Sequence, residues 1–227
     1  MGVVVPAAGT GRRMGGRKKA FMELGGEPIL RRSLTPFLGL SQVEAVAVAL
    51  PADEADSPPA WLTGLDPRIR IVPGGATRLH SVLLALEALP PEVDLVLVHD
   101  AARPLVTPEI IRRCLEGAGP GVGAVAGWPV VDTLKRVDEE GFVVETPDRS
   151  DLWRAQTPQA FPMTELLGAY RQAAARGMEA TDDAGVFTAR GGRVRMVEGS
   201  PWNLKVTHPG DLPVAERLLE LQRGGAG

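Results

Sequence analysis

The chain has 227 residues, 44% of them hydrophobic and 23% charged, with a formal net charge of −3. It is long enough to bury a substantial core, as one large α/β domain or two small ones. Its acidic balance and 4% aromatic content exclude the broad basic surface and stacking platforms that general nucleic-acid binding needs. No apolar run approaches the ~18 residues that span a bilayer, so neither nucleic acid nor membrane is an expected partner. The N-terminus enters a strand with no basic leader, so the expected compartment is the cytoplasm.

The first element is the β-branched run Val3-Val4-Val5, ended by Pro6, which suits a strand buried on both faces of a parallel sheet. Ala7, Ala8, Gly9, Thr10 and Gly11 follow, then five basic residues among the eight from Arg12 to Lys19. Small residues let backbone N–H groups approach a ligand, and dense positive charge makes the segment an anion site, best suited to a polyphosphate. Neither common phosphate fingerprint applies. Gly-Lys-Ser/Thr is missing, and GxGxxG fails at Met14. A solvated basic loop or a nucleic-acid patch is the alternative on these residues alone.

Gly25-Gly26 turns the chain before a helix through Ile29, Leu30, Leu34 and Phe37. A second strand is expected over residues 43–50, a weak helix around Trp61 and Leu62, and a third strand over 69–72. Thr77 starts a helix through Val82 and Leu86, and a fourth strand covers 93–98. This alternation predicts βαβ units on a mostly parallel sheet, with ligands beyond the carboxyl ends of the strands. Three clusters fall there: residues 9–19, 74–81 and 99–104. Asp100 follows a buried strand, where a lone carboxylate is costly. It is expected either to pair with Arg103 or to hold a metal ion or a sugar hydroxyl. His99 reads as structural, with no second histidine at zinc-ligand spacing.

A helix over residues 108–116 holds the only cysteine, Cys114, which reads as a core residue. A fifth strand follows over 122–126. Residues 130–137 and 142–146 alternate about the turn at 138–141, predicting a hairpin arm inserted over about 130–150. Such a ribbon is marginal alone and is expected to pack on a second copy of the chain. Residues 152–159 lead into a helix over 164–175. Thr181-Asp182-Asp183 opens another helix, 194–197 is a late strand, and 209–221 is a closing helix. The 25 basic residues include only four lysines, Lys18, Lys19, Lys135 and Lys205, read as places where a compact ammonium is needed. The fold class is therefore α/β, a Rossmann-like, mostly parallel sheet flanked by helices. It is read as a single domain over 1–227 with an inserted arm.

The pattern Pro6-Ala7-Ala8-Gly9-x-Gly11-x-Arg13-Met14 with Lys19 resembles the nucleotidyltransferases that join a sugar or polyol phosphate to a nucleoside monophosphate. Within them it is similar to the 2-C-methyl-D-erythritol 4-phosphate cytidylyltransferase family. The resemblance extends through Gly74-Gly75-x-x-Arg78-x-x-Ser81, Val98-His99-Asp100-Ala101-Ala102-Arg103-Pro104, Asp132-Thr133-x-Lys135, Asp148-Arg149, Thr157-Pro158-Gln159, Thr181-Asp182 and Asn203-x-Lys205. Two departures stand out. The loop before Lys19 is one residue short, with Lys18 where relatives often carry proline, and Ala76 replaces a residue that is often acidic.

The resemblance implies transfer of CMP from CTP to 2-C-methyl-D-erythritol 4-phosphate, giving the CDP-linked alcohol and pyrophosphate in the non-mevalonate route to isoprenoid precursors. It implies Arg13, Lys19 and Lys205 at the α-phosphate and leaving group. Pro6, Ala7, Ala8, Gly9, Gly11, Gly74, Gly75, Ser81 and Asp100 would bind the nucleotide. Arg103, Thr133, Arg149, Thr157 and Thr181 would bind the polyol phosphate. Mg²⁺ or another divalent cation would sit at Asp100, and the arm would join a homodimer. A phosphate nucleophile needs no covalent intermediate, in keeping with a chain that lacks a nucleophile–histidine pair. Another polyol-phosphate cytidylyltransferase, for instance one using ribitol 5-phosphate, and a non-catalytic nucleotide sensor are the alternatives.

Overall fold

The computed structural model describes residues 1–9 and 18–224. From the N-terminus, β1 (Gly2–Pro6) leads to a short 3-10 turn (Lys19–Phe21) and a ribbon of β2 (Glu23–Leu24) and β3 (Glu27–Pro28). Gly25 and Gly26 close that ribbon with φ of 55° and 78°, a turn geometry that favours glycine. Then follow α1 (Ile29–Leu38), β4 (Ala45–Leu50), α2 (Ala52–Asp56), α3 (Ala60–Thr63), β5 (Ile69–Pro73), α4 (Arg78–Glu87), β6 (Leu95–Val98) and α5 (Pro108–Gly117). The second half holds β7 (Val122–Pro129), β8 (Arg136–Val137), β9 (Val143–Glu145), β10 (Trp153–Pro162), α6 (Met163–Ala175), α7 (Asp183–Ala189), β11 (Arg193–Glu198) and α8 (Asp211–Gly224).

Seven strands form one sheet in the order β11-β7-β10-β6-β1-β4-β5. All neighbours are parallel except β10, which runs antiparallel to both β6 and β7. Alternate residues of β1 face opposite layers: Val4 packs with Val82, Leu86 and Tyr170 on one side, Val3 and Val5 with Leu30, Phe37 and Ile111 on the other. Helices thus cover both faces, which is why β1 and β4 read as continuous apolar runs. The chain builds outward from β1 through β4 to β5, then returns to place β6 on its other side. This reversal opens a crevice beyond the carboxyl ends of the strands.

The predicted caps hold. Thr77 accepts from His80 N–H at 3.2 Å, and Asp182 accepts from Gly185 N–H at 3.0 Å. One strand differs from expectation. Residues 153–159 belong to β10, a ten-residue central strand rather than a lead-in to α6. Proline disfavours a central strand, but the ladder with β7 is interrupted between Ala155 and Gln159, so Pro158 sits where no N–H is required.

The arm is thinner than predicted. Only Arg136 with Glu145 and Val137 with Val143 pair, because the ribbon has no layer of this chain beneath it. Cys114 is buried as expected, and burial pushes its thiol up to about 12.

Candidate active site

The loops after β1, β5 and β6 surround a cleft of about 540 Å³. Its walls include Pro6, Ala7, Ala8, Gly9, Lys19, Gly75, Arg78, Ser81, Asp100 and Lys205. A smaller chamber of about 240 Å³ is lined by Arg103, Gln156, Thr157, Thr181 and Asp182. Arg78, Asp100 and Lys205 line both and form the boundary between them.

Glycine makes the cleft wall possible. A Cβ on Gly74 would lie 2.2 Å from the Ala8 Cβ, and one on Gly75 would lie 2.4 Å from the His80 Cβ. Gly74 thus lies behind the wall, letting the β5 loop press against Ala8, while Gly75 and Ser81 face the cleft. The Gly75 N–H donates to Ser81 Oγ at 3.1 Å, and the Ser81 hydroxyl donates to Thr77 O at 2.9 Å.

Asp100 carries the electrostatics. Lys205 Nζ donates to its Oδ2 at 2.7 Å, with Arg78 Nη2 3.7 Å from Oδ1 and Arg103 Nε 3.8 Å from Oδ2. Burial pushes the carboxyl up, but Lys205, Arg78 and Arg103 outweigh it and hold it at about 2. Its main partner is therefore Lys205, not the expected Arg103.

Arg103 is mostly occupied otherwise, its Nη1 donating to Asn203 O at 2.7 Å and its Nη2 to Ala155 O at 3.4 Å. It stitches the β6 loop to β10 and to the Asn203 loop at the edge of the smaller chamber. Thr157 also supports that loop. Its hydroxyl accepts from Asp100 N–H at 2.9 Å and lies 3.1 Å from His99 Nδ1. His99 Nε2 lies 3.1 Å from Arg103 O, which can only accept. Nε2 therefore carries the proton, and Nδ1 accepts from the Thr157 hydroxyl. Burial pushes His99 down to about 4, so it is neutral, as this network requires.

Lys19 lines the cleft, with Nζ 3.4 Å from Val206 O. Lys18 turns elsewhere, its ammonium pairing with Asp53 and Glu54 of α2 and not lining the cleft. Gly11 and Arg13 lie outside the described residues. Thr133 and Arg149 line neither chamber but meet on the arm, Arg149 Nη1 donating to Thr133 Oγ1 at 3.2 Å. Lys135 donates to Thr146 Oγ1 there, at 2.7 Å. Arg78, Gln156 and Asp182 were absent from the predicted ligand set. The position of Arg78 within the glycine-led motif was the one signal that pointed to it.

No group of three or more His, Cys, Asp or Glu among the described residues could hold a metal ion. Asp100 still suits Mg²⁺, which binds through one or two carboxylates plus substrate phosphates. Asp100 lines both chambers, and its Oδ1 lies 3.7 Å from Arg78 Nη2, beyond hydrogen-bond distance.

A glycine-bordered cleft at the switch point of an α/β sheet, opening past fixed cations into a second polar chamber, describes a nucleotidyltransferase. A sequence profile of the 2-C-methyl-D-erythritol 4-phosphate cytidylyltransferases matches residues 1–221. The member from Symbiobacterium thermophilum is 46% identical over 96% of this chain and 92% of its own length. That from Thermosynechococcus vestitus is 42% identical over 98% and 97%. The crystal structure of the Thermus thermophilus enzyme superposes with a TM-score of 0.81 at 38% identity, covering 95% of this chain and 97% of that one. The chain belongs to the 2-C-methyl-D-erythritol 4-phosphate cytidylyltransferase family.

Proposed function

We propose that this chain transfers a cytidylyl group from CTP to 2-C-methyl-D-erythritol 4-phosphate, releasing pyrophosphate, in the non-mevalonate supply of isoprenoid precursors. The observation that carries the reading is the pair of chambers sharing Arg78, Asp100 and Lys205. The larger suits a nucleotide, with Gly75 and Ser81 offering fixed polar groups to a base edge. The smaller, bordered by cations, suits the polyol phosphate. A phosphate oxygen of the acceptor attacks the α-phosphorus, and the bond to the β-phosphate breaks. The chain must bring two anions together and stabilise the charge on the five-coordinate phosphorus. Lys19 and Lys205, which both line the cleft, would do that work. Asp100 orients Lys205 and would hold Mg²⁺, which when bound supplies further positive charge at the phosphates.

The arm supports a homodimer. Val131, Phe142, Val143 and Val144 are more than half exposed on it. In that arrangement Thr133 and Arg149 reach the acceptor phosphate of the partner's site. The cytoplasm is the compartment assigned, in keeping with a single buried thiol. The test is pyrophosphate release across the four ribonucleoside triphosphates and several polyol phosphates. Release confined to CTP with 2-C-methyl-D-erythritol 4-phosphate is expected. Equal use of ribitol 5-phosphate, or no release, overturns it.

A further inference from the structure

A buried ionic cluster of Arg78, Asp183 and Tyr170 lies behind the chamber boundary. Arg78 stands in the first turn of α4, the end of a helix where a positive charge is disfavoured. Its fork grips Asp183, Nη1 to Oδ1 at 2.9 Å and Nη2 to Oδ2 at 2.7 Å. Asp183 has no exposed surface, and the Tyr170 hydroxyl from α6 donates to the same Oδ1. Burial and the Asp183 charge push the Tyr170 phenol well up, so it remains a donor.

The segment around Asp183 is held from a second side. Gln159 of β10 accepts from Ala184 N–H at 3.0 Å, and its amide lies 3.3 Å from Asp182 Oδ2. Three elements, α4, α6 and β10, thus converge on residues 182–184. Those residues directly follow Thr181 and include Asp182, both lining the smaller chamber. The base-facing wall is fixed separately, by Ser81 with Gly75 and Thr77.

We propose that Asp183, with Tyr170, is a positioning residue for the acceptor substrate. It holds Arg78 at the chamber boundary and sets Thr181 and Asp182 in the wall that receives the polyol phosphate. A buried carboxylate gripped bidentately has one low-energy position, so the wall is pre-organised before substrate arrives. The role rests on the cytidylyltransferase reading for the identity of the acceptor, but the geometry of the wall does not.

The test compares Tyr170→Phe, which removes one hydroxyl, with Asp183→Asn, which removes the charge and keeps the volume. Both substrates are varied in turn. The KM for 2-C-methyl-D-erythritol 4-phosphate is expected to rise roughly threefold in Tyr170→Phe and tenfold or more in Asp183→Asn, the scale of losing one hydrogen bond and one charge-assisted pair. In Tyr170→Phe, which leaves both bonds from Arg78 to Asp183 in place, the KM for CTP stays within about twofold. A merely structural role lowers the folded fraction and moves neither KM. Unchanged acceptor KM in folded Tyr170→Phe, or equal rises for both substrates, overturns the proposal. Should Asp183→Asn not fold, Tyr170→Phe alone decides. If the unmodified chain releases no pyrophosphate, the functional reading falls. Amide exchange at Ala184 and Gly185 then judges the wall, and protection unchanged by Tyr170→Phe overturns its positioning.

Discussion

Lys205 and Asp100, 105 residues apart in the chain, meet at 2.7 Å on the boundary between the two chambers. The carboxylate lies directly after β6 and the ammonium in the loop before α8, so the contact exists only when both halves of the fold are in place. Asp100 keeps its charge despite burial because Lys205, Arg78 and Arg103 surround it.

Removing Lys205 takes away the nearest cation from Asp100 and one of the two lysines that line the cleft among the described residues. Lys205→Ala is expected to lower kcat by roughly 10²-fold, the scale of losing one fixed electrostatic group in the transition state. Pyrophosphate release at saturating substrates measures it. Turnover within twofold of the unmodified chain would remove Lys205 from the chemistry.

Lys19 lines the same cleft, its Nζ 3.4 Å from the carbonyl of Val206, the residue after Lys205. Lys19→Ala should reduce kcat by about 10²–10³-fold, leaving thermal unfolding nearly unchanged because the side chain is only partly buried. Near-normal turnover in the folded variant refutes the assignment.

Gly74 touches no ligand space, yet a methyl group there would meet Ala8 and Leu50 O. Gly74→Ala must displace the β5 loop from the β1 loop, a strain of about 1–3 kcal/mol. If it falls on the bound nucleotide, the KM for CTP rises by roughly 10-fold or more. Steady-state kinetics with CTP varied decides, and an unaltered KM would mean that the wall tolerates the shift.

His99 gives the fold an acid-sensitive point. Its native value near 4 lies below the ordinary 6.5 because burial disfavours the charged ring. Between those values the unfolded chain takes up a proton that the native chain refuses, so stability falls as pH drops from 6.5 to 4. The loss reaches roughly 3 kcal/mol. Asp100 acts lower, losing its contribution as pH falls from 3.8 through about 2. His99→Gln keeps a donor toward Arg103 O but does not titrate. Its unfolding midpoint should depend less on pH over that window, measured by circular dichroism. An equal slope in both proteins assigns the acid sensitivity to other groups.

The layers of the fold were legible because buried parallel strands and amphipathic helices carry their periods in the sequence. Val3 to Val5 and Leu30 to Phe37 needed no other information. β10 was hidden because Gln156, Thr157, Pro158 and Gln159 violate both the apolar run and the proline rule, and an interruption in the ladder is visible only once β7 is alongside. At the site, glycines, Lys19 and Asp100 announced themselves through spacing and position. The partner of Asp100 and the cluster of Arg78, Asp183 and Tyr170 did not, since each joins segments far apart in the chain. Asp183 read as a first-turn acid, which it is, but its buried ionic role depends on α4 and α6 arriving beside it.

The place of β10 in the sheet has a consequence for biogenesis. β6 carries the apolar sequence Leu95-Val96-Leu97-Val98, and one of its edges is covered only by Gln159, Ala160, Phe161 and Pro162. On the ribosome, β1, β4, β5 and β6 all emerge before that cover does, while the polar arm is still being made. The nascent half-sheet therefore shows an unpaired hydrophobic edge of the kind that recruits other chains. A polypeptide cut within the arm keeps that edge permanently. It is expected to aggregate even though four of the strands that frame the cleft and the sheet beside it are present.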